Sequence, residues 1–302
     1  MAVLSEARTG PVDRTLAGIA MALGAMIIFS IMDGISKVLA EDYHPLEISC
    51  VRSVVSLIVL APFFTRYSAT LRTSMPWHQL GRGLCMTASS VLFILGLAHL
   101  PIADATAIGF ISPLLVTALS IPFLGEKVGV RRWSAVLVGF AGVLVIVRPG
   151  TGAFNPAALY PLLSAVTWAL GLILTRLMRS SQPVLTTIFH TTAVGVVVTG
   201  LAMPAVWRMP DLEGWVLMAL MGIFSAAGQT LLIAALLRAA ASLVAPFSYS
   251  QMLWATLVGL FVFNTVPDAV TWTGAAIIIA SGLYTLHRES VVHRRQQRRA
   301  AA

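Results

Sequence analysis

Charge is scarce in this sequence: Asp, Glu, Lys and Arg make up 11% of its 302 residues, against 58% hydrophobic residues, whereas a soluble domain carries about one-quarter charged residues. Polar connections are equally short. No stretch between the apolar runs is long enough for a soluble domain, which excludes an appended catalytic or nucleotide-binding module. There is no Gly-x4-Gly-Lys-Ser/Thr loop to cradle the phosphates of ATP, which argues against a self-contained ATP-driven pump. The two cysteines, Cys50 and Cys85, both fall inside apolar runs, where a thiol behaves as a small hydrophobe, so neither a disulfide framework nor a metal site is expected. No motif calls for a cofactor.

What the chain does have is apolar runs of membrane-crossing length, about 20 residues each. Ten can be marked: 16–39, 46–64, 80–99, 103–124 and 130–147, then 157–178, 185–206, 217–238, 242–263 and 270–286. The first run is too long for a signal-peptide core and lacks a small-x-small site at its end, so it reads as a retained span. The expected fold class is an all-α polytopic membrane protein.

The two sets of five are copies. Sliding residues 16–146 forward by 139 lays Trp133 on Trp272, Gly83 on Gly222, Ala88 on Ala227, Leu92 on Leu231 and Ala141 on Ala280, without a gap. Five is odd, so the second copy enters the bilayer upside down, the inverted-repeat arrangement of many secondary transporters. The expected organisation is a first repeat at 16–147, an inverted second repeat at 157–286 and a basic tail at 287–302.

With the amino terminus cytoplasmic, sixteen of the twenty Lys and Arg residues collect on the inner side, among them Arg8, Arg14, Lys127, Arg131, Arg132, Arg179 and the tail arginines. The positive-inside rule therefore predicts both termini in the cytoplasm of a bacterial inner membrane. The basic tail resembles a nucleic-acid patch, but its place beside a last span reads better as a topology anchor on anionic lipid. Membrane lipid and a small-molecule substrate are the expected partners, and nucleic acid is not; the sequence leaves oligomeric state open.

Residues 103–146, ADATAIGFISPLLVTALSIPFLGEKVGVRRWSAVLVGFAGVLVI, and 241–263, ASLVAPFSYSQMLWATLVGLFVF, resemble the fourth and ninth helices of the EamA branch of the drug/metabolite transporter superfamily. The Gly125-Glu126-Lys127 turn, Trp133 and Arg52 also fit. Within that family the chain looks most similar to the YddG-type amino-acid exporters. Asn264-Thr265-Val266 stands where the family would have a second Gly-Glu turn. The resemblance implies a central cavity lined by the first, third, fourth, sixth, eighth and ninth helices, and substrates that include amino acids, nucleotide-like metabolites, sugars and drugs.

The repeat by itself selects site residues. Positions 139 apart near mid-span lie at similar depth on opposite walls of a midplane site, which singles out Phe29 with Trp168, Ser90 with Gln229, and Phe110 with Tyr249. At helical spacing Met86 joins Ser90 on one stripe and Ser164 joins Trp168 on another. Such a surface of rings, a thioether, hydroxyls and an amide suits a net-neutral ligand with a flat or apolar body and a polar head, which describes an aromatic or large aliphatic amino acid. The plainer reading is that Ser and Gly mediate helix packing, and that His190 is a hydrogen-bonded helix residue.

Pro113 and Pro246 are expected to bend the fourth and ninth spans, although Pro246 also reads as a tolerated first-turn proline. Asp33 and Arg52 lie at equal depth, roughly 9 Å below the outer surface, and Lys37 is one turn from Asp33. A structural ion-pair cluster is one reading of these three, and gating or proton coupling by Asp33 is the other. Asp104 reads as helix-end stabilisation.

The function these features predict is a secondary transporter that moves amino acids or related amphipathic metabolites by alternating access, with export as the expected direction. An importer, or a metabolite or drug carrier of other specificity, is the alternative. The His99-x4-Asp104 spacing of some membrane acyltransferases falls in a short outer hairpin without companion motifs, which leaves an enzyme remote. No charge rings or carbonyl-loop signatures of a channel are present.

Overall fold

In lipid a crossing segment must satisfy its own backbone, so long apolar runs become helices. The computed structural model describes residues 11–66, 71–125, 130–151, 154–178, 184–239 and 241–300. Arg8, Glu126, Lys127 and Arg179 lie outside them, as do the side chains of Arg14, Arg131, Arg132 and the tail arginines. Among the described residues there is no strand. The helices are α1 (Pro11–Leu39), α2 (Pro45–Arg66), α3 (Pro76–His99), α4 (Ile102–Gly109), α5 (Ser112–Leu124), α6 (Val130–Val147), α7 (Leu159–Met178), α8 (Val184–Val206), α9 (Leu212–Arg238), α10 (Ala241–Ser248), α11 (Gln251–Phe263) and α12 (Ala269–Ala300). Eight segments are long and apolar enough to cross a bilayer, and shorter apolar stretches at Trp133–Val147 and Ala269–Thr285 provide the fifth and tenth spans. The tenth span does not stop where its apolar residues end, because α12 continues through the basic tail.

Helix boundaries recur at the repeat distance. The fourth span is broken into α4 and α5 at Phe110 and Ile111, and the ninth into α10 and α11 at Tyr249 and Ser250, each boundary 139 residues from its counterpart. Gly125 ends α5 in the left-handed region at φ 67° and Asn264 ends α11 there at φ 52°. Asn is among the few residues with a side chain that tolerate this conformation, so the departure from a Gly-Glu turn leaves the turn geometry in place.

Contacts between the halves show the inversion. A Cβ at Gly142 of α6 would come within 2.8 Å of Ile278 and 2.9 Å of the Gly274 carbonyl of α12, while Ser281 further along α12 donates to the Ala135 carbonyl at 2.5 Å. Rising numbers in α6 thus meet falling numbers in α12. The same holds for α2 and α8, where Gly195 lies against Ser53 and Phe189 meets Phe64 edge-on at 5.1 Å. Small residues let these backbones approach closely, which is how helices associate without a hydrophobic drive between them. Both ends of the chain therefore share one face, the terminal face; the connections after α1, α3, α6, α8 and α11 share the opposite, far face.

Candidate functional site

The two helix breaks face each other at mid-depth. Phe110 and Tyr249 meet edge-on with ring centroids 5.2 Å apart, so the sequence-selected pair is in contact. Tyr249 is buried against Gly282, which leaves no room for a side chain there. Its hydroxyl has no hydrogen-bond partner among the described residues, and the same is true of the buried Ser250 hydroxyl and Trp254 indole N–H. A helix break inside lipid is tolerated where it lines a cavity or is covered by protein, and here three unpartnered polar groups gather on the ninth span, at the break and on the helix after it.

Beside the ninth-span break, the Gln251 amide donates to the Asp33 carboxylate at 3.1 Å, and the Ser30 hydroxyl donates to the Gln251 carbonyl at 3.3 Å. Arg52 donates to the Ser90 hydroxyl at 2.7 Å. Lys37 donates to the carbonyls of Leu97 at 2.7 Å and Leu100 at 2.8 Å and lies 5.6 Å from the centre of the Phe263 ring. Asp33, Lys37 and Arg52 are therefore not joined by a direct ion pair; Asp33 and Arg52 attract each other through space while each hydrogen-bonds a neutral partner. Among the described residues the only ion pairs, Arg148 with Asp268 and Arg208 with Asp42, stand on the far face. Equal depth fixes height along the membrane normal and leaves direction around each helix undecided; Gln251 reaches Asp33, and Ser90 reaches Arg52.

The remaining predicted residues divide. Met86 covers Gly171, and Phe29 covers Gly228. Ser164 exchanges bonds with Ser89, donating to its carbonyl at 2.8 Å and accepting at its own carbonyl from the Ser89 hydroxyl at 3.0 Å. Gln229 donates to Ser225 at 3.3 Å within its own helix. These are packing contacts between or along helices, the plainer reading for the serines. Trp168 is 46% exposed and lines a groove of about 170 Å³ with Pro113, Val116, Thr117, Leu172 and Arg176, on the terminal side of the breaks. Pro113 is the second residue of α5, just after the break; its missing N–H leaves the Gly109 carbonyl without that donor, and the Ser112 hydroxyl bonds it instead, whereas Pro246 lies inside α10, before the ninth-span break. The His190 ring bonds the Thr186 carbonyl at 2.8 Å, as expected of a helix residue.

A second cavity, of about 160 Å³, opens on the far face between Asp104, Arg148, Asn155, Asp268 and Thr271. The Arg148 guanidinium hydrogen-bonds Asp268 and, with the Thr271 backbone N–H, holds that carboxyl down to about 2. Asp211 on the same face is held below its usual range by the Gly214 backbone N–H and the Tyr43 hydroxyl.

Sequence reasoning missed Gln251, Ser89 and Glu47. Gln251 is paired by the repeat with Ser112, an unremarkable position. Glu47 in the first turn of α2 is enclosed and accepts from the Arg208 backbone N–H at 3.2 Å.

Two inverted five-span halves, broken helices meeting at mid-depth and isolated polar groups beside them define a small-molecule membrane transporter. The profile of the EamA-like transporter family matches residues 16–148 and 155–286, and the chain belongs to that family. The chain is 31% identical to the S-adenosylmethionine uptake transporter of Rickettsia bellii, over 90% of this chain and 94% of that one. It is 30% identical to the riboflavin transporter of Vibrio cholerae, over 93% and 97%, and 28% identical to the pseudopaline exporter CntI of Pseudomonas aeruginosa, over 89% and 95%. One solved crystal structure shares the fold with a TM-score of 0.61 at 19% identity, covering 93% of this chain and 99% of its own. These relatives are transporters, not enzymes, and none of their names singles out the YddG-type exporters.

Proposed function

We propose that this chain is an alternating-access carrier for zwitterionic, amino-acid-like metabolites with a large flat or apolar body. Its place is the bacterial inner membrane with both termini cytoplasmic, a reading supported by the excess of Lys and Arg on the terminal face. One observation carries the substrate class: Asp33 and Arg52 sit inside the spans, bonded to Gln251 and Ser90 and not to each other. A charge in a span costs about 3 kcal/mol even on lenient scales, and neutral partners offset only part of it. An ammonium group at Asp33 and a carboxylate at Arg52 would neutralise both, with the body of the ligand against the Phe110 and Tyr249 rings.

The relatives' names fit this class unevenly. S-adenosylmethionine is an amino acid bearing a flat purine, so it has both poles and the body; riboflavin has the flat ring without the zwitterion. Uptake and export both occur among the named relatives, and a carrier runs down whichever gradients it couples to. Export of amino acids remains the direction we assign, on the family resemblance.

The test is counterflow in proteoliposomes of purified protein, with tryptophan, S-adenosylmethionine and riboflavin each as labelled substrate. Saturable counterflow of tryptophan or S-adenosylmethionine, lost in Asp33→Asn and Arg52→Gln, is the expected result. Counterflow of riboflavin alone would overturn the zwitterion reading and leave a carrier of flat neutral metabolites.

A further inference from the structure

The two faces of the molecule are not equivalent, and the repeat shows what each would become. On the far face α1 packs on α3 and α4, and α4 packs on α11. The repeat-related helices on the terminal face show no comparable packing: α7 on α9 and α10, or α10 on α5. The central helices are packed together toward the far face, around the shallow cavity at Asp104, and are apart toward the terminal face. Inverted repeats alternate by exchanging the arrangements of their two halves, so each contact that closes the far face has a counterpart 139 residues away that closes the terminal one.

Lys37 is the most specific of the far-face contacts. The carbonyl of Leu97 would ordinarily accept from the residue four positions on, but that residue is Pro101, which has no N–H. Lys37 supplies the missing donor and also bonds the Leu100 carbonyl. The end of a helix carries partial negative charge, which adds to the attraction. The counterpart of Lys37 is Arg176, the other long cation on this helix face. Arg176 is exposed in the groove beside Trp168 and makes no hydrogen bond or ion pair to a described residue. The counterparts of Leu97 and Leu100 are Leu236 and Ala239, at the end of α9 on the same terminal face. Carbonyls in the last turn of a helix generally lack intrahelical partners; the counterpart of Pro101 is Ala240, which carries an N–H, so the Ala239 carbonyl is the better match for the bond Lys37 makes to Leu100 and the Leu236 carbonyl would be shared.

We propose that Lys37 and Arg176 are alternating latches. Lys37 holds the far face shut on the carbonyls that end α3, and Arg176 holds the terminal face shut on the carbonyls of Leu236 and Ala239 once the far face has opened. The proposal rests on the reading of the chain as an alternating-access carrier. Its chemistry is one cation exchanged for another at matching helix ends, so each half-cycle breaks one set of charge-assisted bonds and makes the other.

The experiment measures distances by spin labelling of the full chain in nanodiscs, with Cys50 and Cys85 replaced by serine. One label pair, Val38→Cys with His99→Cys, reports on the far face, and its repeat counterpart, Leu177→Cys with Arg238→Cys, reports on the terminal face. Lys37→Ala is expected to lengthen the far pair and shorten the terminal pair, raising the far-open population about tenfold or more, as loss of two charge-assisted bonds implies. Arg176→Ala is expected to abolish the short terminal distance, and Arg176→Lys to restore it. Unchanged distributions in both alanine variants, or shifts in the same direction, would overturn the latch. Distances that shift as expected with no counterflow of any substrate would overturn the substrate class and support the latch, whereas counterflow with unshifted distances would overturn the latch alone.

Discussion

The third and eighth spans occupy equivalent places and hold opposite chemistry there. Arg82 on α3 donates to the Thr175 hydroxyl at 2.7 Å and also bonds the Thr191 hydroxyl. The residues 139 positions away from these are Met221, Ser36 and Arg52, and the Ser36 hydroxyl bonds the Met221 sulfur at 3.8 Å. One residue further along, Gly83 receives Val194 and Gly222 receives Val55, the same contact seen from each half. The backbone meeting is duplicated, while both cations, Arg82 on the third span and Arg52 on the second, belong to the first half, and the second half has Met221 and Thr191 in their places. Position in the fold therefore sets which side chains meet, and the repeat leaves free what they do.

Met221→Arg would break this comparison with the largest effect. Met221 is fully buried, and its repeat counterpart, Arg82, bonds Thr191, whose own counterpart is Arg52. A second cation there would compete with Arg52 in a buried site that has one carboxylate, Asp33, near it. We expect a loss of about 3 kcal/mol or more, enough to remove folded protein from detergent extracts. Arg82→Met, the reverse exchange, should cost about 1 kcal/mol or less, because Thr175 and Thr191 already donate to the Gly171 and Thr187 carbonyls of their own helices and replacing a buried charge by a hydrophobic residue is often neutral. Size-exclusion profiles and melting curves measure both; equal damage from the two exchanges would show that the chemistry is as fixed as the backbone.

Gly142→Leu comes next. The helix crossing of α6 and α12 depends on the glycine approaching the Gly274 carbonyl to a distance no Cβ could share. Overpacking of this kind costs about 1–3 kcal/mol, visible as a lower melting temperature, and a variant as stable as the parent would mean that the two spans can separate without penalty. Asp33→Asn follows, with its effect on transport. Its counterpart is Leu172, so only one half can bind an ammonium group, and we expect at least about a tenfold fall in counterflow of zwitterions, the worth of one charge-assisted bond, with melting unchanged. If both rate and pH dependence stay as in the parent, Asp33 neither binds substrate nor couples protons.

How much of this was legible depended on which coordinate the sequence encodes. Hydropathy gave the number of spans, and the repeat gave the pairing of Phe110 with Tyr249, because both are properties of position along the chain. Rotation about a helix axis is not: Asp33 and Arg52 stand at one depth but bond Gln251 and Ser90. Pro113 pointed to the fourth-span break, which falls in the turn just before it, whereas the ninth-span break at Tyr249 follows Pro246 and was not marked by it. Trp168, chosen for its central position, lines the terminal groove with Ser112 and Pro113, just past the fourth-span break, and Gly282, against which Tyr249 packs. Gln251 escaped notice because its partner in the other half is a serine with no obvious role.

The smallest effect belongs to the two turns that end the broken spans. Asn264 donates its backbone N–H to the Leu260 carbonyl at 3.1 Å, as Gly125 does to Ile121 at 3.1 Å, and both adopt left-handed backbone. Glycine enters that region without strain, asparagine with little, and alanine at about 1–2 kcal/mol. Asn264→Gly should therefore change stability by about 0.5 kcal/mol or less and Asn264→Ala should lose about 1 kcal/mol, a modest downward shift in melting temperature, with Gly125→Ala losing as much. Both turns stand at the ends of α5 and α11 remote from Phe110 and Tyr249, so counterflow should be unaffected in all three variants. A fall in transport without a fall in melting temperature would mean that the turns move during the cycle, and that the halves exchange more than the packing of their central helices.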